Sequence, residues 1–400
     1  MNSAEHDNAP AFTGEATLGL IPAPDLPETV VASIVAGLPE RLHQCIDDRL
    51  TWHVETVTDP LIGAEDETRQ ILSKAGHIKQ ARGWQYVVCV TDLPMLRNRR
   101  LTIAEADGQH GTGVLSQPAL GFLQLKRRLQ DAILQLVNEM HHGSSDAARD
   151  RQQVHIAHQA DRYGHGSEIS ADARELVGSR YLRPFVSLRR LTPDDSAVDV
   201  RFVTASRWRG YIQLLLGMVY ANRPWTILPS FRRVVAIAFA TGTYGLVFPT
   251  LWHLSDAYDR ARLLALMALS FIAMIAWITI AHGLWEPRSA NARFTLVWLY
   301  NATTLTTLLI GVACYYVALF CLFFTTALIF IPDHYLQQVL QHPAGLYSYV
   351  VLAWLITSVA TITGALGLSL EGDATVRNAT YGYRQRMRHR KVTRDSASSR

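Results

Sequence analysis

Residues 296–331 read LVWLYNATTLTTLLIGVACYYVALFCLFFTTALIFI, 36 residues without one Asp, Glu, Lys or Arg, and they decide the class of this chain. A bilayer core of about 30 Å takes about 20 apolar residues as helix. At 1.5 Å per residue this run makes about 54 Å of helix, too long for one perpendicular span. It is either one helix with a stub outside the bilayer or two short spans joined by a tight turn. Three further apolar runs surround it, Val234 to Leu254, Leu263 to Trp285 and Leu346 to Leu370. The chain therefore reads as a polytopic membrane protein with roughly 200 residues of mostly soluble sequence in front.

Charge orients the runs. Arg223, Arg232 and Arg233 precede the first, and Arg288 and Arg293 stand between the second and third. Residues 372–400 carry eight Lys and Arg against two Asp, whereas residues 332–348 carry no Lys or Arg. Four spans place the three basic segments on one face, as the positive-inside rule requires. Arg260 and Arg262, beside Asp256 and Asp259, are the exception. The expectation is a bacterial inner-membrane, multi-pass protein with cytoplasmic N- and C-termini. Trp252, Trp285, Trp298 and Tyr347 fall near the predicted interfaces, where aromatic belts form. Ala360 and Gly364 sit four apart in the last run, a spacing that lets helices approach closely. No charged residue lies mid-run, which disfavours proton-coupled transport. His253 and His282 fall near run ends and read as interfacial.

The front half opens on residues 1–14, polar, with neither a basic n-region nor an apolar core of a signal peptide. The expectation is a tail on a domain that stays where it is made. Residues 15–142 read as a cytosolic α/β domain in the order β-α-β-α-β-β-β-α. Asp25 to Ile46 has helical periodicity, Trp84 to Val90 reads as a central strand, and Ala119 to Met140 reads as a closing helix. Residues 143–204 form a polar linker with a possible hairpin around Thr192-Pro193-Asp194-Asp195. Residues 205–226 read as an interfacial amphipathic helix. Residues 232–371 are the four-helix transmembrane domain and 372–400 a basic cytoplasmic tail. The fold class is thus an α/β cytosolic domain followed by an all-α membrane domain of four transmembrane helices.

Chemistry is thin. Cys45, Cys89, Cys314 and Cys321 form no C-x-x-C pair and read as buried thiols. Gly108, Gly111 and Gly113 follow neither the dinucleotide nor the P-loop pattern. Asp92, His110 and Ser116 are the candidates for a catalytic triad, without a nucleophile-elbow sequence around the serine. His155, His158 and His165 are candidate metal ligands in a segment otherwise typical of linkers. No cofactor is indicated.

Several stretches resemble a family of uncharacterised bacterial polytopic membrane proteins. They are Val90 to Pro94 (VTDLP), Val114 to Gly121 (VLSQPALG), Leu216 to Trp225 (LGMVYANRPW) and Gly364 to Arg384 (GALGLSLEGDATVRNATYGYR). Members sometimes carry a methylene-tetrahydrofolate dehydrogenase label, but the glycine pattern of a dinucleotide site is absent here. The resemblance implies architecture rather than activity. The soluble domain is also faintly similar to archaemetzincin-type zinc peptidases, whose closing helix carries H-E-x-x-H. Here Glu139, His141 and His142 come only at that helix's end, and adjacent histidines cannot share one metal as an i, i+4 pair does.

The expected function is a non-enzymatic anchor, scaffold or sensor whose cytosolic domain binds a protein partner or small ligand. The alternatives are a membrane-tethered enzyme, a degenerate or unrecognised hydrolase, and a transporter or channel component. The expected partners are the lipid bilayer, with anionic lipid at Arg384, Arg386, Arg388, Arg390 and Lys391, and no nucleic acid.

Overall fold

A computed structural model describes residues 14–60, 68–97, 100–144, 188–192, 198–224, 232–286 and 294–367. His155, His158 and His165, most of the linker and the whole basic tail lie outside these residues. The chain divides at Ala221/Asn222 into a sheet unit and a helical unit.

In the sheet unit the strands are β1 (Glu15–Pro22), β2 (Thr51–Thr56), β3 (Tyr86–Thr91), β4 (Met95–Arg97), β5 (Arg100–Asp107), β6 (Thr112–Ser116), β7 (Leu188–Leu191) and β8 (Val200–Thr204). Its helices are α1 (Leu26–Ala32), α2 (Leu38–Cys45), α3 (Thr68–Arg82), α4 (Leu125–His142) and α5 (Arg207–Ala221). The sheet order is β2-β1-β3-β6-β5-β8-β7, with the short β4 pairing β5. The first four of these are parallel, and β5, β8 and β7 run antiparallel.

β3, YVVCVT, sits between β1 and β6 and is buried along nearly its whole length. Its unbroken apolar run follows from that position, because helices cover both faces of a parallel sheet. Ile71, Leu72 and Ala75 of α3 pack with Ile21, Val87, Cys89 and Val114 on one face. On the other, Gly113 lies close to Val88 and to Leu136 of α4. Trp84 covers Gly19 so closely that any side chain at 19 would collide with the indole.

The helix expected over 25–46 is two, α1 and α2, separated by a 3-10 turn at Val35–Gly37. Pro39 stands in the first turn of α2, where its ring is tolerated but cannot continue a preceding helix. The helix expected from Ala119 starts instead at Leu125. Pro118–Leu120 form a 3-10 turn, and Gly121 then takes φ 77, which ends it. β7 and β8 pair antiparallel, and they extend the sheet beside β5. Two buried ion pairs fasten them. Arg201 of β8 meets Glu105, its register partner on β5, and Arg190 of β7 grips Glu139 of α4 through Nη2 at 2.7 Å and Nε at 3.2 Å.

The helical unit contains α6 (Arg232–Leu246), α7 (Pro249–Ala257), α8 (Arg260–Ala281), α9 (Phe294–Phe330), α10 (Asp333–Leu340) and α11 (Leu346–Gly367). Three of these, α8, α9 and α11, are long and apolar enough to cross a membrane; α6 and α7 make a fourth candidate if the bent pair is one span. The first expected span is thus two helices that bend by 90° at the break. Phe248 precedes Pro249 and is driven into the extended region (φ −89, ψ 117), which breaks the helix. The 36-residue run resolves as a single helix within α9.

α11 packs against α6, α8 and α9. Gly364 faces Tyr315 and Ala238, so the small residue admits close contact with α9 and α6. Trp252 is buried in the protein, its Nε1 donating to the Leu246 carbonyl at 2.9 Å across the bend. Trp285, Trp298 and Tyr347 are exposed.

Candidate functional site

Parallel strands collect their carboxyl ends on one edge, and open α/β sheets bind ligands in the crevice there. In this sheet that edge holds Pro22 of β1, Thr91 and Asp92 after β3, and Ser116 and Gln117 after β6. The polar residues among them are all buried. Thr91 Oγ1 accepts from Leu93 N at 3.1 Å, Ser116 Oγ donates to the Leu93 carbonyl at 2.6 Å, and Gln117 N donates to the Thr91 carbonyl at 2.8 Å. These bonds tie the β3 and β6 exits into one rigid corner.

Gln117 is the exception. It is 0% exposed, and among the described residues neither its Oε1 nor its Nε2 has a partner. Four residues on, Gly121 turns the chain at φ 77 with Arg128 Nη1 and Gln213 Cγ each 3.3 Å from the place of a Cβ. Gln213 of α5 is committed, its Nε2 donating to the Ala119 carbonyl at 2.5 Å. Arg128 is not, because its buried Nε has no acceptor. Burial pushes that guanidinium down to about 10, so it is charged at neutral pH and poorly solvated. The guanidinium beside Gly121 offers a planar donor fork of the kind that suits a small anion.

Asp92 and Ser116 therefore come together at this edge, whereas His110 does not join them. β6 runs from Thr112 to Ser116 between the two positions, so His110 lies at the amino end of the strand. There its Nδ1 meets Asp107 Oδ2 at 2.6 Å, and its carbonyl accepts from Lys79 Nζ. A triad of the three does not assemble, and the Ser116 hydroxyl is spent on a carbonyl. Sequence reasoning missed Gln117 and Arg128; VLSQ was noticed as a stretch, but nothing in it announces an unpaired buried amide.

The two histidines ending α4 take part in a second polar cluster. Tyr86 Oη and His141 Nδ1 are 2.9 Å apart, and His141 Nε2 lies 3.4 Å from Asp47 Oδ2, which Arg49 also holds. His142 Nε2 turns to the Ile46 carbonyl at 3.2 Å. Burial opposes ionisation of Asp47, but the Arg49 hydrogen bonds and charge, with His141, outweigh it and hold the carboxyl below its usual value. Burial, and then the Asp47 charge, raise the Tyr86 phenol, which stays neutral. Each group has a partner, so the cluster clasps α4 to the α2–β2 connection and to β3. Among the described residues, no group of three or more His, Cys, Asp or Glu is placed to hold a metal ion.

In the helical unit a hollow of about 620 Å³ is lined by Trp285, Glu286, Val297, Trp298, Asn301, Ala302 and Leu305. Asn301 is used up on the Glu286 backbone, accepting from its N–H at 2.8 Å and donating to its carbonyl at 3.2 Å. The buried hydroxyls of Thr303, Thr357 and Thr361 each donate to the carbonyl four residues earlier in their own helix. No family model, curated protein or solved structure matches the chain.

Proposed function

We propose that the chain is a four-span membrane protein whose sheet unit, on the cytoplasmic side with both termini, binds a small anionic ligand rather than catalysing a reaction. The observation that carries this reading is Gln117, a wholly buried amide with both ends unpaired, at the carboxyl edge of a parallel sheet. Leaving such a group unpaired costs about 1–3 kcal/mol, and a ligand that bonds it recovers that cost. Arg128, whose guanidinium lies beside Gly121 four residues along the chain from Gln117, favours an anion as the ligand.

Four spans with co-lateral termini are supported by the contact between two loops. His342 Nε2 lies 2.9 Å from Asp256 Oδ2, which joins the end of α7 to the α10–α11 connection. With the bent pair as one span, both segments fall on the same side. Asn222 Nδ2 donates to Thr307 Oγ1 at 3.0 Å, setting the polar start of α9 beside the chain just ahead of α6. From Thr307 to Phe330 enough helix remains for one full crossing, about 35 Å. The tail cations Arg384, Arg386, Arg388, Arg390 and Lys391 then face the leaflet whose lipids are anionic.

The test is thermal denaturation of the full-length protein in detergent against inorganic phosphate, small carboxylates, nucleotides and folates. A ligand that binds only the folded form raises the melting point by mass action. The expected result is a saturable rise with at least one anion, abolished in Gln117→Leu although that variant melts no lower without ligand. Cooperative melting that no anion shifts would overturn the reading.

A further inference from the structure

α5 is apolar on two sides, and the sheet covers only one of them. On the covered side Gly210 abuts Thr204 and Leu101, and Gly217 presses on the Pro118 carbonyl so closely that a side chain there would strike backbone. Leu214 and Met218 are buried between them. On the opposite side Trp208 (71% exposed), Ile212 (42%) and Leu216 (40%) recur every fourth residue, the spacing of one helix face. Tyr220 continues the row by one turn, and its ring lies 6.4 Å from Phe122. Phe122 and Leu123, at the tip of the turn before α4, are themselves exposed. Large apolar groups gathered in one patch mark an interaction surface, whereas scattered ones do not.

Charge identifies what covers it. From Val200 to Ser255 the chain carries Arg201, Arg207, Arg209, Arg223, Arg232 and Arg233 and no Asp or Glu. From Gly108 to Gln130 it likewise has no acid. Arg207 and Arg209 are exposed at one end of the apolar row, and Lys126 and Arg127 at the other, just past Leu123. An apolar strip with exposed cations at both ends fits a layer that is anionic at its surface and hydrocarbon beneath, as an in-plane amphipathic helix does. Such a layer is within reach, because only residues 222–231 separate α5 from α6, the first apolar helix of the helical unit.

We propose that α5 and the Phe122–Leu123 tip form a membrane-docking surface, which seats the sheet unit on an anionic leaflet with Trp208, Ile212, Leu216, Phe122 and Leu123 below the headgroups. The proposal is independent of the ligand taken at Gln117.

The test uses the full chain, with Cys45, Cys314 and Cys321 replaced by serine and a fluorophore attached through Ile212→Cys or Leu216→Cys. His53→Cys, on the sheet's far edge strand, serves as control. The protein is reconstituted into vesicles of phosphatidylethanolamine and phosphatidylglycerol, with or without brominated acyl chains. The expected result is quenching by bromine and protection from aqueous iodide at 212 and 216, with the reverse at 53. Arg207→Glu with Arg209→Glu is expected to expose 212 to iodide at least twofold more. Iodide access at 212 and 216 equal to that at 53 would overturn the proposal. So would protection from iodide that persists in neutral detergent without bromine quenching, which would assign the face to a second copy or another protein.

Discussion

Arg190 and Glu139 expose how little room the sheet unit has for an unpaired charge. Both side chains are almost fully buried, and they meet at 2.7 Å. Arg190→Met removes the cation and leaves the Glu139 carboxylate inside; the expected loss is about 3–5 kcal/mol, read by urea denaturation. A loss below about 1 kcal/mol would mean the carboxylate finds water. His342 gives the opposite case, an exposed pair whose value depends on pH. The Asp256 hydrogen bond, then that to the Pro343 carbonyl, raise the His342 pKa. The imidazolium–carboxylate attraction is therefore complete below about pH 6.5 and fades as pH rises through the raised value. Cross-linking between cysteines at 257 and 341 should fall on going from about pH 6 to about pH 8.5, and His342→Gln should flatten that dependence. A flat profile in the native protein would refute it. At this scale the sequence offered Asp92, His110 and Ser116 as one group. It did not reveal that His110 is a strand's length away, nor that the Gln117 amide lacks partners, because both depend on which strands pair.

Helices and strands were legible where one periodicity ran unbroken and illegible where the backbone turned. Hydropathy passes smoothly over Phe248-Pro249, so residues 234–254 looked like one span; the proline's effect on its predecessor makes the 90° bend. Gly37 and Pro39 divided the first helix of the sheet unit in the same way. The long run 296–331 carried no such signal, and it is one helix. Where α11 crosses α9 and α6, Gly364 is the contact that admits Tyr315. Gly364→Val should force these helices apart and lower the melting point of the protein in detergent by several degrees, as overpacking costs about 1–3 kcal/mol. Gly345→Val, at a position with open space around it, should leave the melting point unchanged. Equal effects at the two positions would remove close packing as the cause.

Over the whole molecule, the division into a sheet unit and a helical unit was readable from composition, since apolar runs and mixed sequence separate cleanly. The completion of the sheet was not. β7 and β8 come from a stretch whose local composition reads as linker, and Arg201 reaches its partner Glu105 across 96 residues. Pairing at that range leaves no local pattern to read. For the topology, cysteines at His342 and near Arg400 should react with impermeant reagents from opposite sides of the membrane; labelling from the same side would exclude four spans. The β7 edge of the sheet has a further consequence. β7 is only four residues long, LRRL, and two of them are arginine. Copies of an anchored protein diffuse in two dimensions, where encounters between sheet edges are far more frequent than in free solution. A short edge that presents the exposed Arg189, with Arg190 held by Glu139, resists strand-to-strand addition between neighbours, and in a membrane-embedded protein it guards against aggregation in the plane that concentrates the copies.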